Sequence, residues 1–175
     1  SPAVSLTISL MSRDPRSEQL QIRLSPAEKT AIRRAAEQAG MDMSAYVLAR
    51  ALPTPAMQFQ ACMESCAGPA PPSFGLAELN TLLTGWTATE LRDAIAARPR
   101  TPLTPFLSNY IAAMVELACE RRSVRVPDWV RAVEPLTEPA FGSTLKSLRL
   151  HLLTHSPPPF RRRNIFIDAT LGDRV

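Results

Sequence analysis

Between residues 19 and 24 apolar and polar positions alternate without a break: Leu20, Ile22 and Leu24 against Gln19, Gln21 and Arg23. A period of two gives one apolar and one polar face, the pattern of a strand covered on one side. The period changes at Ser25-Pro26-Ala27-Glu28. These four residues spell an N-cap, a proline at the first helical position and a glutamate placed to close a capping box. Ala31, Ile32, Ala35, Ala36 and Ala39 then keep helical spacing as far as Gly40, a residue suited to the left-handed position after a helix. Ser44 is expected to cap a second helix with Val47, Leu48, Ala51 and Leu52 on its inner side, stopped by Pro53 and Pro55. Upstream, Val4, Leu6, Ile8 and Leu10 alternate weakly before Ser-Arg-Asp-Pro-Arg-Ser, so residues 1–17 are expected to form a loosely ordered arm.

Downstream the pattern is helical and heavily punctuated. Residues 53–73 are rich in Pro, Ala and Ser and read as a linker, with at most a short helix around Met57 to Cys66. Helical spacing returns at 74–84 and at 87–97, where Thr87 and Glu90 form a second capping box, and again at 104–122 behind Thr104-Pro105. A short turn near 127–132 and a helix over 144–155 follow, the latter ended by Pro157-Pro158-Pro159. Ile165, Phe166 and Ile167 form a final apolar run, read as a strand or a docked tail. The expected fold is mainly α: one strand and two helices in residues 18–52, then an all-helical region over 74–175.

A lone strand leaves its backbone N–H and C=O groups without partners, which is costly. The economical remedy is a second copy, with two strands paired antiparallel across a two-fold axis above four helices. The segment Gln19 to Leu24, the Ser25–Glu28 cap, Gly40 and Ser44-Ala45-Tyr46 resemble the ribbon-helix-helix family of DNA-binding proteins, which includes the Arc and MetJ repressors. The likeness covers about 35 residues. It implies a homodimer with Leu20, Ile22, Leu24, Ile32, Val47 and Leu48 in its core. It also implies a two-stranded ribbon in the major groove of double-stranded operator DNA, presenting Gln19, Gln21 and Arg23. Gln pairs bidentately with adenine and Arg with guanine. In that family the amides opening the second helix hold a phosphate, a role that falls on Met43 and Ser44 and suits a helix N-terminus.

Charge divides the chain further. Residues 1–52 carry seven Lys/Arg against five Asp/Glu, residues 53–143 seven against nine, and residues 144–175 six against two. Basic ends around an acidic middle point to two partners, DNA and a protein. At the C-terminal end Phe160, Arg161, Arg162, Arg163 and Phe166 are the expected partner-binding residues, because arginine forks bind the carboxylates of an acidic partner, or phosphate. The stretch Leu148 to Asp168 resembles bacterial proteins encoded beside nucleotidyltransferase-like putative toxins. That likeness implies an antitoxin that represses its own operon and neutralises a cognate toxin. The alternative is a stand-alone transcriptional repressor whose helical region oligomerises or senses a ligand.

Catalysis finds little purchase in this chain. There is no Gly-rich phosphate loop and no Ser/His/Asp ordering, and no enzyme activity or cofactor is expected. Cys62 and Cys66 share the i, i+4 spacing of His151 and His155, but about 85 residues separate the pairs and no metal is expected. Three cysteines without a leader pattern fit a reducing cytoplasm, and no apolar run is long enough for a membrane span.

Overall fold

A computed structural model of the chain describes residues 21–143 and 145–168. They divide after Leu48 into two units. Unit 1 contains α1 (Pro26–Gln38) and most of α2 (Met43–Ala51). Helix α1 begins as its sequence predicts. The Ser25 hydroxyl accepts from the Glu28 amide at 3.3 Å, while the Glu28 carboxylate accepts from the Ser25 amide at 2.8 Å. These reciprocal bonds satisfy two N–H groups that the helix itself leaves open. The helix ends at Gly40, whose φ is +64°. The Gly40 amide donates to Glu37 O, and the Met41 amide donates to Ala36 O, the two bonds of a Schellman motif.

Unit 2 contains α3 (Pro55–Ala67), α4 (Pro72–Gly85), α5 (Ala88–Ile95), α6 (Pro105–Arg122), α7 (Asp128–Arg131), β1 (Ala140–Phe141), a 3-10 turn at Lys146–Leu148, α8 (Arg149–His155), α9 (Pro158–Arg161) and β2 (Ile165–Phe166). Its axis is α6. Five consecutive residues, Ile111 to Val115, are buried, so the middle of the helix is enclosed on every side. It packs against α4 and α5 as well as α7 and α9, while α3 lies on α4 and α5. Asn109, buried in α6, donates to the carbonyl of Glu134 at 2.9 Å and so fixes the chain beyond α7.

The expected linker over 53–73 is largely helix. Thr54 caps α3, and Phe59, Cys62, Met63 and Cys66 are buried in the core. Only Gly68 to Pro71 separates α3 from α4. The reason lies in how proline is used. Pro26, Pro55, Pro72, Pro105 and Pro158 all open helices, where the missing N–H costs nothing and the fixed φ is already helical. Three prolines that read as breaks, Pro55, Pro72 and Pro158, are starts.

The C-terminal apolar run is a strand. β2 pairs with β1 in parallel, Ala140 opposite Ile165 and Phe141 opposite Phe166. Asn164, at φ +63°, turns the chain out of α9 into this pairing, and its side-chain amide donates to Leu136 O at 3.0 Å. No helix among the described residues is long and apolar enough to cross a membrane.

Candidate nucleic-acid interface

Gln21, Ile22, Arg23 and Leu24 lead into α1 as exposed chain without regular structure. The expected strand is therefore not formed over these four residues. Ladder hydrogen bonds need a second strand, and no strand of unit 1 is present among its described residues. Gln19 and Leu20 lie outside the described residues. Ile22 is 56% exposed and Leu24 42%.

Within the helices of unit 1 burial is scarce. Ala36 is buried; Ile32, Ala35, Val47 and Leu48 are half-buried, and α2 has no buried residue. The cap of α2 differs from expectation. The Asp42 carboxylate accepts from the Ala45 amide at 3.0 Å, and its carbonyl accepts from the Tyr46 amide at 2.9 Å. Asp42, not Ser44, is thus the N-cap, because a helix that starts at Met43 places Ser44 inside its first turn. Met43 and Ser44 supply the first two amides of α2, donors that an α-helix leaves unpaired. The aspartate beside them contributes negative charge at the place expected to hold a phosphate.

Arg23, Lys29, Arg33, Arg34 and Arg50 are all exposed, and within residues 21–52 only Glu28, Glu37 and Asp42 oppose them. Glu28 is committed to its cap, which holds its carboxyl below the usual range because two Ser25 hydrogen bonds favour the charged form.

The residues expected to meet a protein partner fare differently. Phe160 and Phe166 are buried, Phe160 against Tyr110 with ring centroids 5.2 Å apart and Phe166 stacked on Phe141 at 5.1 Å. Arg163 is buried too. Its guanidinium donates to Val130 O at 2.9 Å, to Val133 O at 3.3 Å and to Glu116 Oε2 at 3.2 Å. Arg162 reaches Glu116 Oε1 at 2.7 Å and Glu120 Oε1 at 3.1 Å. Of the expected set, Arg161 alone keeps its side chain on the surface without an internal partner among the described residues. The correction has a simple cause. Glu116 and Glu120 lie one turn apart on α6, and the end of α9 runs over them, so the tail's positive charge meets carboxylates of its own chain. Neither the arginine run nor the glutamate spacing reveals this alone, since about 45 residues separate them in sequence.

The cysteine and histidine pairs do not meet in a metal centre. Cys62 and Cys66 are buried under α4, and desolvation, aided by Glu78 and Cys66, pushes the Cys62 thiol up to about 12. His151 and His155 stack on one another at 4.0 Å on α8, with His155 Nδ1 at 3.0 Å from His151 O. No group of three metal-binding side chains occurs among the described residues.

Residues 14–59 match the NikA-like family, described as Mobilization protein NikA. No curated protein and no solved structure matches the chain. The family match covers the alternating segment and both helices of unit 1, and it extends into the first turn of α3.

Proposed function

We propose that this chain is a DNA-binding protein of the mobilisation type, acting as a homodimer through a ribbon-helix-helix unit in residues 18–52. In this reading unit 2 serves as a platform for a protein partner. The observation that carries it is the coincidence of three features on one segment. The family match at 14–59 falls where the sequence has its strand-then-two-helices pattern, and where the single chain buries little beyond Ala36. A second copy supplies what is missing: a strand for residues 19–24 and cover for Ile22 and Leu24. Completing the burial of four such side chains, two from each chain, contributes on the order of 4–6 kcal/mol before ordering costs. Gln19, Gln21 and Arg23 then face outward together as base readers, and the Met43 and Ser44 amides face a phosphate.

An antitoxin or a repressor of its own operon would use the same dimer and differ in its partner. Two of the three tail arginines expected to meet a partner, Arg162 and Arg163, are engaged with Glu116 and Glu120, so the mobilisation reading leads. The discriminating experiment deletes the gene from its native replicon and measures both transfer frequency to a recipient and transcription of the surrounding operon. A fall in transfer with unchanged transcription is expected. Normal transfer with derepressed transcription would overturn the reading in favour of the repressor or antitoxin. At the protein level, Ile22→Asp places an uncompensated charge in the dimer core. It should abolish dimerisation in light scattering and DNA binding in mobility shifts together. A wild-type chain that binds DNA as a monomer would refute the ribbon.

A further inference from the structure

Helices α4 and α6 pack against each other, and a groove of about 420 Å³ lies between them, bounded on a third side by Pro157, Phe160, Ile167 and Asp168 of the C-terminal segment. Its walls repeat at helical spacing. On α4, Leu76, Asn80 and Leu83 stand at i, i+4 and i+7; on α6, Tyr110, Met114, Leu117 and Arg121 stand at i, i+4, i+7 and i+11. Two rows of this kind flanking one groove are a surface on which a further helix seats its own ridge. The row on α6 is about 16 Å long at the helical rise, the length of roughly three turns. Leu83 and Met114 form a buried apolar floor, with Leu76 and Leu117 half-buried above it. The row also continues past the groove. Phe106, one turn before Tyr110 and in ring contact with it at 5.7 Å, is 42% exposed.

The rim carries two arginines, Arg121 and Arg122, against one carboxylate, Asp168. The Arg121 side chain has no hydrogen bond or ion pair among the described residues. Arg122 donates to the carbonyls of Thr84 and Trp86, which are neutral acceptors. Glu120, the nearest acidic residue in sequence, is engaged by Arg162, and Asp168 on the rim stands against His151 at 3.8 Å. The carbonyl end of α6 offsets about half a charge, which leaves an excess of positive charge where α6 ends. Apolar walls at three-turn length with a basic end define the occupant. We propose that this groove seats an amphipathic helix of a partner protein, about three turns long, with apolar side chains at i, i+4 and i+7 and Asp or Glu at the end lying over Arg121. The proposal rests on the reading of unit 2 as a partner platform, and it is independent of which DNA unit 1 binds.

The test pans a phage-displayed library of amphipathic helices, with an apolar stripe fixed and all other positions randomised, on the full chain. Recovered helices should carry acidic residues at one end. Panning on Arg121→Glu should reverse that preference to Lys or Arg and weaken the original helices at least tenfold. A second variant, Leu76→Glu with Leu117→Glu, should recover none of them while keeping its circular dichroism. Both variants should shift DNA as the wild type does, which separates failure of the groove from failure of the DNA reading. Recovery without charge preference, recovery by the double variant, or no recovery overturns the proposal. So does sedimentation that shows unit 2 pairing with a second copy through Leu76 and Leu117.

Discussion

Removing Glu116 tests the tail's internal anchorage most directly. The Glu116 carboxylate receives Arg162 on one oxygen at 2.7 Å and Arg163 on the other at 3.2 Å. The two arginines differ in weight. Arg162 keeps 57% of its side chain in water, and a screened pair of that kind contributes at most about 1 kcal/mol. Arg163 keeps 8%, against 18% for Glu116. Glu116→Ala strands a buried guanidinium that retains two carbonyls but no counter-charge. Breaking a fully buried pair costs about 3–5 kcal/mol, and partial exposure of Glu116 lowers the expectation to about 2–4 kcal/mol. At about 3–5 °C per kcal/mol for a unit of this size, the melting temperature should fall by roughly 10 °C. Thermal and urea denaturation followed by circular dichroism measure this. A double-mutant cycle with Arg163→Met isolates the pair. Removing both partners should cost less than Glu116→Ala alone, because no unpaired charge remains. A cost below about 1 kcal/mol for Glu116→Ala would refute the anchorage. If changing Arg162 and Arg163 instead weakened DNA binding and flattened its salt dependence without loss of stability, these arginines would be phosphate contacts.

Three further outcomes follow from local geometry. A Cβ at Gly75 would lie 2.7 Å from Cys66 Sγ and 2.9 Å from Cys66 N. Gly75→Ala should therefore destabilise unit 2 by about 1–3 kcal/mol in urea denaturation, overcoming the gain of about 1 kcal/mol that alanine brings to a helix. At Gly40 the surroundings are open but φ is +64°, so Gly40→Ala should cost about 1–2 kcal/mol and Gly40→Asn less, read from denaturation of the DNA-binding unit. Burial, reinforced by nearby carboxylates, raises the thiols of Cys62 to about 12 and Cys119 to about 11. At pH 8 the Cys62 thiolate fraction is then about one in ten thousand. Labelling of both thiols by iodoacetamide should track unfolding, and prompt labelling of the native chain would contradict their placement.

Local signals in this sequence were legible because their physics is local. A capping box closes within four residues, so Ser25 with Glu28 and Thr87 with Glu90 could be read from spacing, and both form. Gly40 sits where a left-handed residue was expected. The mainly helical class followed from apolar periodicity alone. Pro55 is ambiguous in sequence because proline's effect depends on position: the same ring that ends a helix also opens one, and only the packing of Phe59, Cys62 and Met63 decides that Pro55 is a start. Asp42 displaced Ser44 as a cap because two good capping residues stood two positions apart, and the helix register chose between them.

What sequence order could not carry was the meeting of distant groups. A run of three arginines has the same local propensity whether it faces a partner, a phosphate or its own chain. Burial of Arg163 against Glu116 depends on where α9 lands on α6, which the β1–β2 pairing and the Asn164 turn determine. The groove beside Arg121 arises the same way, from two helices whose rows look like ordinary core faces until both are placed. Periodicity and capping are short-range and survive in the one-dimensional record. Charge pairing and concavity are products of assembly, and they exist only once the chain has been packed.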